Sequence, residues 1–240
     1  MGSKSRIAKY IVPIIQKYID DNNIVHYLEP FVGGANVIDK IKCKHRYGGD
    51  INEYLIELFN NLDKISTLPK SINKNEYSKI RDCYNNNANE FEKWYIGAIG
   101  FLASYNGRFF DGGYSGVIHT KEGKVRDYYD EAKRNLELQI PDLKEIKWDC
   151  QDYRNLKPVS NYMIYCDIPY KDTKQYNTSK NFNHNDFWQW VREQSRNNII
   201  LVSESQAPDD FDCIWEQEIL RSIDNNKRVS SKEKLFKYIT

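Results

Sequence analysis

The sequence lacks the long hydrophobic runs and signal segments that mark membrane and secreted proteins. Its most apolar stretch, residues 198–203, is far too short to cross a bilayer, and the mean hydropathy of the chain is −0.75. The polar N-terminal residues are not followed by an apolar segment of the kind found in secretory signals. We therefore expect a cytoplasmic protein with no membrane partner.

Cysteine is scarce, and its spacing is wrong for a disulfide framework or a zinc site. There are five cysteines, an odd number, and none forms a CxxC pair. Cys150 and Cys166 end apolar, strand-like runs, where we expect buried and unreactive thiols. The four histidines are scattered along the chain, so the sequence predicts no bound metal.

The chain also has almost no net charge. Its 35 Lys and Arg residues balance 34 Asp and Glu residues, which leaves a formal charge of +1. This balance excludes the binding of a polyanion by bulk charge but leaves room for local basic patches. The content of hydrophobic residues, 40%, is enough for a folded core, and 240 residues suffice for one domain with an insertion.

Strand-like and helical patterns alternate along most of the chain, which predicts an open, mostly parallel α/β sheet. Short β-rich runs fall at 24–28, before Asp50, and at 146–149, 162–166, 198–203, 213–220 and 234–239, and helical patterns at 7–19, 51–62, 128–138 and 185–194. Residues 63–133 interrupt the alternation with two helical segments (74–84 and 90–103), a Gly-rich aromatic stretch and a hairpin with its tip at 121–123. We predict one domain from 1–62 and 134–240, with 63–133 inserted.

The carboxyl ends of three predicted strands carry candidate ligand-binding residues. The first strand runs into EPFVGGA at 29–35, where glycines allow a ligand to approach the backbone. A helical pattern follows, and the N-terminus of such a helix would offer free N–H groups. Asp50 ends the second strand, where a carboxylate commonly binds a ribose, and Asp152 and Tyr153 follow the strand at 146–149. A tight turn without a ligand is the alternative for the glycine pair.

The sequence DIPY at 167–170 follows the apolar run at 162–166 directly. Pro169 has a fixed φ and keeps Ile168 extended, which aims backbone carbonyls and the Asp167 carboxylate at one point beyond the strand. Tyr170 supplies a flat aromatic surface beside that point. Taken alone, the motif is also compatible with an ordinary turn at a strand exit.

The order and spacing of these clusters resemble the Dam-type DNA adenine methyltransferases over essentially the whole chain. Those enzymes carry an E-P-F-x-G-rich cofactor motif and a D-P-P-Y motif, matched here at 29–35 and 167–170, with a target-recognition region inserted between them. GSK at 2–4 is similar to an upstream G-x-K segment, and YNG at 105–107 to the start of the recognition loop. The resemblance implies a Rossmann-like methyltransferase fold and methyl transfer from S-adenosylmethionine to the N6 amine of adenine in duplex DNA.

The resemblance also implies roles for individual residues. The catalytic residues would be Asp167, Ile168, Pro169 and Tyr170. Cofactor binding would involve Lys4, Glu29, Pro30, Phe31, Gly33, Gly34, Asp50, Asp152, Tyr153 and Asp167. Among these, Lys4 would contact the methionine carboxylate, Asp50 the ribose, and Asp152 with Tyr153 the adenine. The chain departs from the family pattern at Ile168, which replaces a proline but keeps the backbone carbonyl that the chemistry needs.

The amino group of adenine is a poor nucleophile because its lone pair is delocalised into the ring. If the Asp167 carboxylate and the Ile168 carbonyl each accept one of its hydrogens, the lone pair becomes available for in-line attack on the sulfonium methyl. This scheme needs neither a covalent enzyme intermediate nor a metal. The base must leave the duplex to reach the site, and Tyr170 would then stack on it.

Contacts to DNA must come from local groups, because the net charge is so small. We expect Arg108, beside the YNG segment, to read a base edge. The full set of predicted contacts to DNA or to the target base is Tyr105, Asn106, Arg108, Lys121, Lys124, Arg126, Lys171, Lys174 and Tyr176. For the lysines of the hairpin and of the loop after DIPY, a merely solvated role is the alternative.

Two other functions are compatible with the same motifs. An RNA adenine or a protein amide is an alternative methyl acceptor. In both, the nitrogen lone pair is delocalised and must be made available for attack in the same way. A catalytically inactive, DNA-binding relative is the other alternative. The Asp at the first position of DIPY and the insertion placed before that motif favour methylation of DNA.

Overall fold

A computed structural model describes residues 4–120, 123–170, 182–222 and 228–239. Its helices are α1 (Ser5–Asp21), α2 (Glu53–Asn60), α3 (Lys74–Asn85), α4 (Lys93–Leu102), α5 (Tyr128–Leu143) and α6 (His184–Gln194). Its strands are β1 (His26–Glu29), β2 (His45–Asp50), β3 (Val117–His119), β4 (Val125–Asp127), β5 (Lys147–Cys150), β6 (Tyr162–Asp167), β7 (Ile199–Glu204), β8 (Phe211–Ser222) and β9 (Arg228–Tyr238). Of the helices in these described ranges, none is both long and apolar enough to cross a bilayer.

The chain divides into two compact units. Among the described residues, the first unit lies within 52–150, and the second lies within 4–51 and 151–239. Six strands of the second unit form a sheet in the order β2-β1-β6-β7-β9-β8. Neighbours pair in parallel from β2 to β7, whereas β9 runs antiparallel to β7 and β8. The mixed, mostly parallel α/β class is therefore confirmed.

The two faces of the sheet in the second unit differ in character. Cys166 of β6 and Val202 of β7 join residues of α6 in an apolar cluster on one face. Side chains alternate along a strand, so the next residues, Asp167 and Ser203, point to the opposite face. Helix α1 packs against β6 and brings Lys4, which precedes it, to Asp167. One face of this sheet is thus an apolar core, and the other carries polar groups near the strand end.

Helices make up most of the first unit. Side-chain oxygens of Asn52, Asn73 and Asp127 accept the free N–H groups at the starts of α2, α3 and α5. Helices α2 and α4 pack closely at Gly97, where an added Cβ would lie 2.1 Å from the carbonyl oxygen of Tyr54. The short hairpin of β3 and β4 is antiparallel, as predicted. The boundaries of the inserted region, 63–133, remain a prediction.

The helix predicted after Gly33 and Gly34 is wrong. Only a short 3-10 helix, Ile38–Lys40, forms before β2. Gly33 and Ala35 have φ angles of 48° and 54°, in the left-handed region that an α-helix cannot contain. The apolar residues of this segment recur at a helix-like spacing and are buried, although the segment consists of turns, irregular backbone and the short 3-10 helix. They are Val32, Ala35, Val37, Ile38 and Ile41.

The prediction of buried thiols holds for Cys166 but is wrong for Cys150. Cys166 lies in the apolar cluster beneath α6, whereas Cys150 is exposed. Strand β5 buries none of its four residues fully. A short run that looks apolar therefore does not establish burial, because the strand that it forms can be exposed to solvent.

Candidate active site

The DIPY motif begins where β6 ends, and the core of the second unit holds it in place. Asp167 is the last residue of β6, and Ile168 is 3% exposed within the apolar cluster beneath α6. The carbonyl oxygen of Pro169 lies 3.0 Å from Nε2 of His184, at the start of α6. The isoleucine at the second position of the motif thus provides a buried anchor, which fixes the direction of the neighbouring carboxylate.

Asp167 lies in a group of four polar side chains that we call the Lys4 cluster: Lys4, Asp167, Tyr170 and Glu233. Nζ of Lys4 is 2.9 Å from Oδ1 of Asp167 and 3.1 Å from Oε2 of Glu233. The same ammonium donates to the Tyr170 hydroxyl, which donates in turn to Oε2 of Glu233 at 2.5 Å. The three N–H groups of the ammonium therefore have three acceptors. The predicted contact of Lys4 with the methionine carboxylate remains a prediction.

Burial and neighbouring charge compete within the Lys4 cluster. Burial raises the pKa of Asp167 above its ordinary value; the Lys4 ammonium opposes that effect, and the negative charges of Glu233 and Glu204 add to it. Burial alone lowers the pKa of Lys4, but the carboxylates of Asp167 and Glu233 outweigh it, so the pKa of Lys4 is raised. The ammonium is consequently charged at neutral pH and is the group that favours the ionised form of Asp167.

The glycine turn after β1 and the carboxylate at the end of β2 come together, as the sequence predicts. Parallel pairing of β1 and β2 brings their carboxyl ends to the same edge of the sheet. The N–H of Gly33 donates to Oδ2 of Asp50 at 3.2 Å, and the N–H of Val32 donates to the Gly49 carbonyl at 2.8 Å. The bend leaves little room at Gly34, where an added Cβ would lie 2.7 Å from the Asn36 side chain. The backbone of the glycine turn and the Asp50 carboxylate thus lie together at one edge of the sheet. A carboxylate in this position is a suitable acceptor for the hydroxyl groups of a ribose.

Aromatic rings gather beside this turn. The ring of Phe31 lies 5.3 Å from that of Tyr153, and both rings pack against Phe182 and Phe187. Tyr153 is buried in this group, and Phe31 is half-buried. The predicted cofactor residues Phe31 and Tyr153 therefore meet, and the half-buried ring of Phe31 is the part of this pair that a flat, heteroaromatic ring can reach.

The two remaining predicted cofactor carboxylates, Asp152 and Glu29, also have protein partners. Asp152 accepts hydrogen bonds at 2.9 and 2.7 Å from the Arg154 guanidinium, which lowers the pKa of that carboxyl. Glu29 is 3% exposed and accepts a hydrogen bond of 2.6 Å from the Tyr27 hydroxyl. Burial raises the pKa of Glu29 well above its ordinary value. Asp152 is thus an ionised group near the surface, whereas Glu29 belongs to the interior of the sheet; their cofactor roles remain predictions.

In the first unit, the YNG segment forms a tight exposed turn. Tyr105–Gly107 is a short 3-10 helix in which Asn106 has a φ of 55°, and Tyr105 is 53% exposed. Arg108 is exposed as well. The turn rests on Ser104, whose buried hydroxyl accepts the N–H of Phe110 at 3.0 Å. The predicted DNA contacts Tyr105, Asn106 and Arg108 therefore lie together on one exposed turn.

Of the three phosphate contacts predicted on the hairpin of β3 and β4, two lie within the described residues. Lys124 is exposed, but Arg126 makes two hydrogen bonds, at 2.9 and 2.6 Å, with the Glu131 carboxylate. Part of the positive charge expected on this hairpin is therefore compensated within the first unit. Four predicted contacts lie outside the described residues: Lys121, Lys171, Lys174 and Tyr176.

The sequence did not predict three residues that support the Lys4 cluster, the DIPY motif and the YNG turn. Glu233 of β9 completes the Lys4 cluster, His184 contacts the DIPY backbone, and Ser104 supports the YNG turn. A buried Glu within an exposed-looking KEK sequence leaves no signal in the pattern, because its partners are far away along the chain. Within the described ranges, no group of three or more His, Cys, Asp and Glu side chains could hold a metal.

Comparison with known proteins finds a family whose members are similar to this chain. Residues 1–200 match the family described as D12 class N6 adenine-specific DNA methyltransferase. The chain is 23% identical to the type II methyltransferase M.MjaIII of Methanocaldococcus jannaschii, over 96% of this chain and 91% of that protein. It is 25% identical to the type II methyltransferase M.FokI of Planomicrobium okeanokoites and 26% identical to the modification methylase StsI of Streptococcus sanguinis.

These similarities differ in how much of each protein they cover. The matches to M.FokI and StsI extend over 81% and 75% of this chain but over only 31% and 29% of those longer proteins. A solved structure of a putative methyltransferase complexed with SAH is 10% identical, with a TM-score of 0.40 over 96% of this chain and 53% of that one. That structural likeness is too low to add to the assignment of the fold, which depends on strand order and pairing.

Proposed function

Because this chain belongs to the D12 class N6 adenine-specific DNA methyltransferase family, we propose that Asp167, Ile168, Pro169 and Tyr170 methylate an adenine flipped out of duplex DNA. The resemblance predicted from the motifs at 29–35 and 167–170 is confirmed by this membership. The protein is accordingly an adenine-specific DNA methyltransferase with S-adenosylmethionine as its methyl donor. The residue roles, the duplex substrate and the flipping of the base are the proposal.

The proposal depends above all on the carboxylate of Asp167, which lies at the strand end beside Tyr170 and within 2.9 Å of the Lys4 ammonium. Asp167 accepts one hydrogen of the adenine amino group, and the carbonyl of Ile168 accepts the other. Charge-assisted acceptance is the stronger of the two bonds. Together they draw the nitrogen lone pair out of conjugation with the ring.

Tyr170 orients the target base. Its half-buried ring lies next to Asp167, and its hydroxyl is tied to Lys4 and Glu233. Stacking of a base on an aromatic side chain contributes about 1–3 kcal/mol. An adenine inside a duplex cannot reach this strand end, so the base must leave the stack.

The second unit also contains groups that suit the cofactor. Asp50 and the backbone of the glycine turn would hold the ribose, and Phe31 with Tyr153 would contact the adenine. When bound, S-adenosylmethionine supplies a methyl group on a positively charged sulfur. The buried aromatic rings exclude water from the region beside the turn, and the Asp167 carboxylate provides negative charge near the strand end.

The first unit supplies the contacts to duplex DNA. Tyr105, Asn106 and Arg108 project from the YNG turn, and Arg108 can offer two parallel donors to a guanine. Lys124 on the hairpin would contact phosphate. Exposed apolar residues of the same hairpin add surface that a DNA groove would cover. They are Val117, Ile118 and Val125.

The test is methylation by the purified protein with methyl-labelled S-adenosylmethionine. Separate samples contain PCR-amplified duplex DNA, single-stranded DNA, RNA and a protein lysate, and the labelled product is identified by mass spectrometry. We expect N6-methyladenine in duplex DNA. Label confined to single-stranded DNA, RNA or protein would overturn the duplex substrate, and the absence of label in every sample would overturn the function.

The role of Asp167 is tested in the same assay with Asp167→Asn. We expect the rate to fall by about a hundredfold or more, as when one preorganised polar group of an active site is removed. Binding of S-adenosylmethionine, measured by calorimetry, should persist. The matched control is Asp209→Asn, at an exposed carboxylate of the same unit, which should keep the wild-type rate. A near-normal rate for Asp167→Asn would show that the negative charge at position 167 is not needed for methyl transfer.

A further inference from the structure

Glu233 is a charged residue in a place where charged residues are rare. It is 4% exposed, although it belongs to the outer, antiparallel part of the sheet. The register of β7 with β9 pairs Ser203 with Leu235 and Glu204 with Lys234, so Glu233 lies just beyond the carboxyl end of β7. The direction of β9 is reversed, and residues near its start therefore reach the edge of the sheet where β6 ends at Asp167.

We propose that Glu233 is a positioning residue for methyl transfer: its carboxylate holds the Tyr170 hydroxyl and thereby fixes the ring on which the target adenine stacks. The inference depends on the proposed function, because it assigns Glu233 a part in that same reaction. Glu233 would touch neither the base nor the cofactor. It acts through Tyr170 and Lys4, which it contacts at 2.5 and 3.1 Å.

The hydrogen-bond pattern of the Lys4 cluster requires a hydrogen-bond acceptor at this position. The Tyr170 hydroxyl accepts from Lys4, so its own hydrogen needs an acceptor, and Glu233 supplies one. A hydroxyl bound on both sides restrains the rotation of the ring about its side-chain torsions. Because a stacking surface that is held in advance loses less entropy when the base arrives, the restraint favours productive geometry.

Glu233 also sets the electrostatic environment of the carboxylate that accepts the amino hydrogen. The ionisable groups that interact with Asp167 are Lys4, Glu29, Tyr165, Cys166, Tyr170, Glu204 and Glu233. Lys4 lowers the pKa of Asp167, whereas Glu233 and Glu204 raise it. Removal of the Glu233 charge should therefore lower the pKa of Asp167, and the acid limb of the rate profile should move to lower pH.

The experiment compares Glu233→Ala and Glu233→Gln with the wild-type protein in single turnovers on PCR-amplified duplex DNA. At the pH plateau we expect Glu233→Ala to slow methyl transfer by about tenfold, with the half-saturating concentration of S-adenosylmethionine changed by less than about threefold. Glu233→Gln restores an acceptor without the charge, so it should recover part of the rate. Both variants should shift the acid limb to lower pH, an effect that a purely structural role would not produce.

A double-mutant cycle with Tyr170→Phe tests whether Glu233 acts through the hydroxyl. In the Tyr170→Phe background, Glu233→Ala should slow the plateau rate by less than about twofold further, because the contact is already lost. Tyr170→Phe also tests the contact from its other side if Glu233→Ala does not fold. The control is Glu216→Ala, which removes an exposed carboxylate of β8 paired with Lys232 and should leave the rate unchanged.

The outcomes separate this inference from the function on which it depends. A wild-type protein that forms no N6-methyladenine would overturn the proposed function and the positioning role together. An active wild-type protein whose Glu233 variants keep its rate and pH profile would overturn the positioning role alone. Additive losses in the double variant would show that Glu233 does not act through Tyr170.

Discussion

At the scale of single residues, the ionisation of Asp167 depends on Lys4. Burial raises the pKa of the Asp167 carboxyl, and the ammonium 2.9 Å away opposes that rise. The ionised carboxylate is the stronger acceptor of an amino hydrogen, so activity should fall as the pH falls through this pKa. The position of the acid limb therefore measures the balance between burial and the Lys4 charge.

Replacement of Lys4 by an uncharged residue should shift the acid limb of the pH–rate profile, because the positive charge of Lys4 lowers the pKa of Asp167. Lys4→Met removes the group that lowers the pKa of Asp167, so the pKa rises further and activity is lost at a higher pH than in the wild-type protein. The measurement is the single-turnover rate as a function of pH. Lys9→Met, at an exposed lysine of α1, serves as the control and should leave the limb in place. An unchanged or lower acid limb for Lys4→Met would contradict this account of Asp167.

Among the smaller elements, the YNG turn depends on a close backbone contact. A Cβ at Gly112 would lie 2.3 Å from the carbonyl oxygen of Tyr105 and 3.1 Å from Cβ of Arg108. Gly112→Ala must therefore displace the turn that carries the predicted DNA contacts Tyr105, Asn106 and Arg108. We expect the affinity for duplex DNA to fall by about tenfold, comparable to the loss of one good base contact, while cofactor binding persists. Fluorescence anisotropy with labelled DNA provides the measurement.

Gly113 offers a control for steric displacement of the same turn. It has a φ of 71°, and nothing lies within 4 Å of a Cβ added there. Asparagine tolerates left-handed backbone, so Gly113→Asn should fold and bind DNA as the wild-type protein does. If Gly112→Ala binds as tightly as Gly113→Asn, the position of Tyr105 does not govern DNA binding.

The contact between α2 and α4 is a second case in which the absence of a side chain matters. Alanine favours an isolated helix over glycine by about 1 kcal/mol. At Gly97, however, the new Cβ would lie 2.1 Å from the Tyr54 carbonyl oxygen, so the two helices must separate. We expect Gly97→Ala to lower the free energy of unfolding by about 2 kcal/mol or more, measured by denaturant titration.

A surface change in the same helix provides the comparison for Gly97. Lys93→Ala removes an exposed ion pair with Glu53 and should change the free energy of unfolding by less than about 1 kcal/mol. A stabilised Gly97→Ala protein would mean that helix propensity outweighs packing at this site. In that event, the spacing of α2 and α4 would not depend on the glycine.

For the whole molecule, a net charge of +1 means that only local cations can hold DNA. Lys124, exposed on the hairpin, is expected to contact phosphate. Each lost phosphate contact should reduce the slope of log affinity against log salt by about 1. We expect Lys124→Ala to show this reduction in binding measured over a series of salt concentrations. Lys144→Ala, at an exposed lysine outside the hairpin, should keep the wild-type slope, and equal slopes for both variants would exclude Lys124 as a phosphate contact.

Much of the fold was predictable because local patterns report burial. The apolar runs at 162–166 and 198–203 became β6 and β7, and the amphipathic pattern at 7–19 became α1. The helix predicted after Gly34 does not form. Buried apolar residues in turns and irregular backbone can have the same spacing as those of a helix, so the pattern does not distinguish the two. The left-handed backbone at Ala35 decides between them, and a sequence does not display it.

The candidate site likewise has features that the sequence predicts and features that only the structure shows. By itself, the sequence determined the α/β class, the motifs at 29–35 and 167–170, and the family to which they belong, because these depend on residues that are neighbours along the chain. Only the tertiary structure decided that Lys4 and Glu233, 229 positions apart, meet at Tyr170 and Asp167. The reversed direction of β9 and the packing of α1 against β6 create that contact. Hydrogen bonds and charges act over a few ångströms in space, whatever the separation along the sequence.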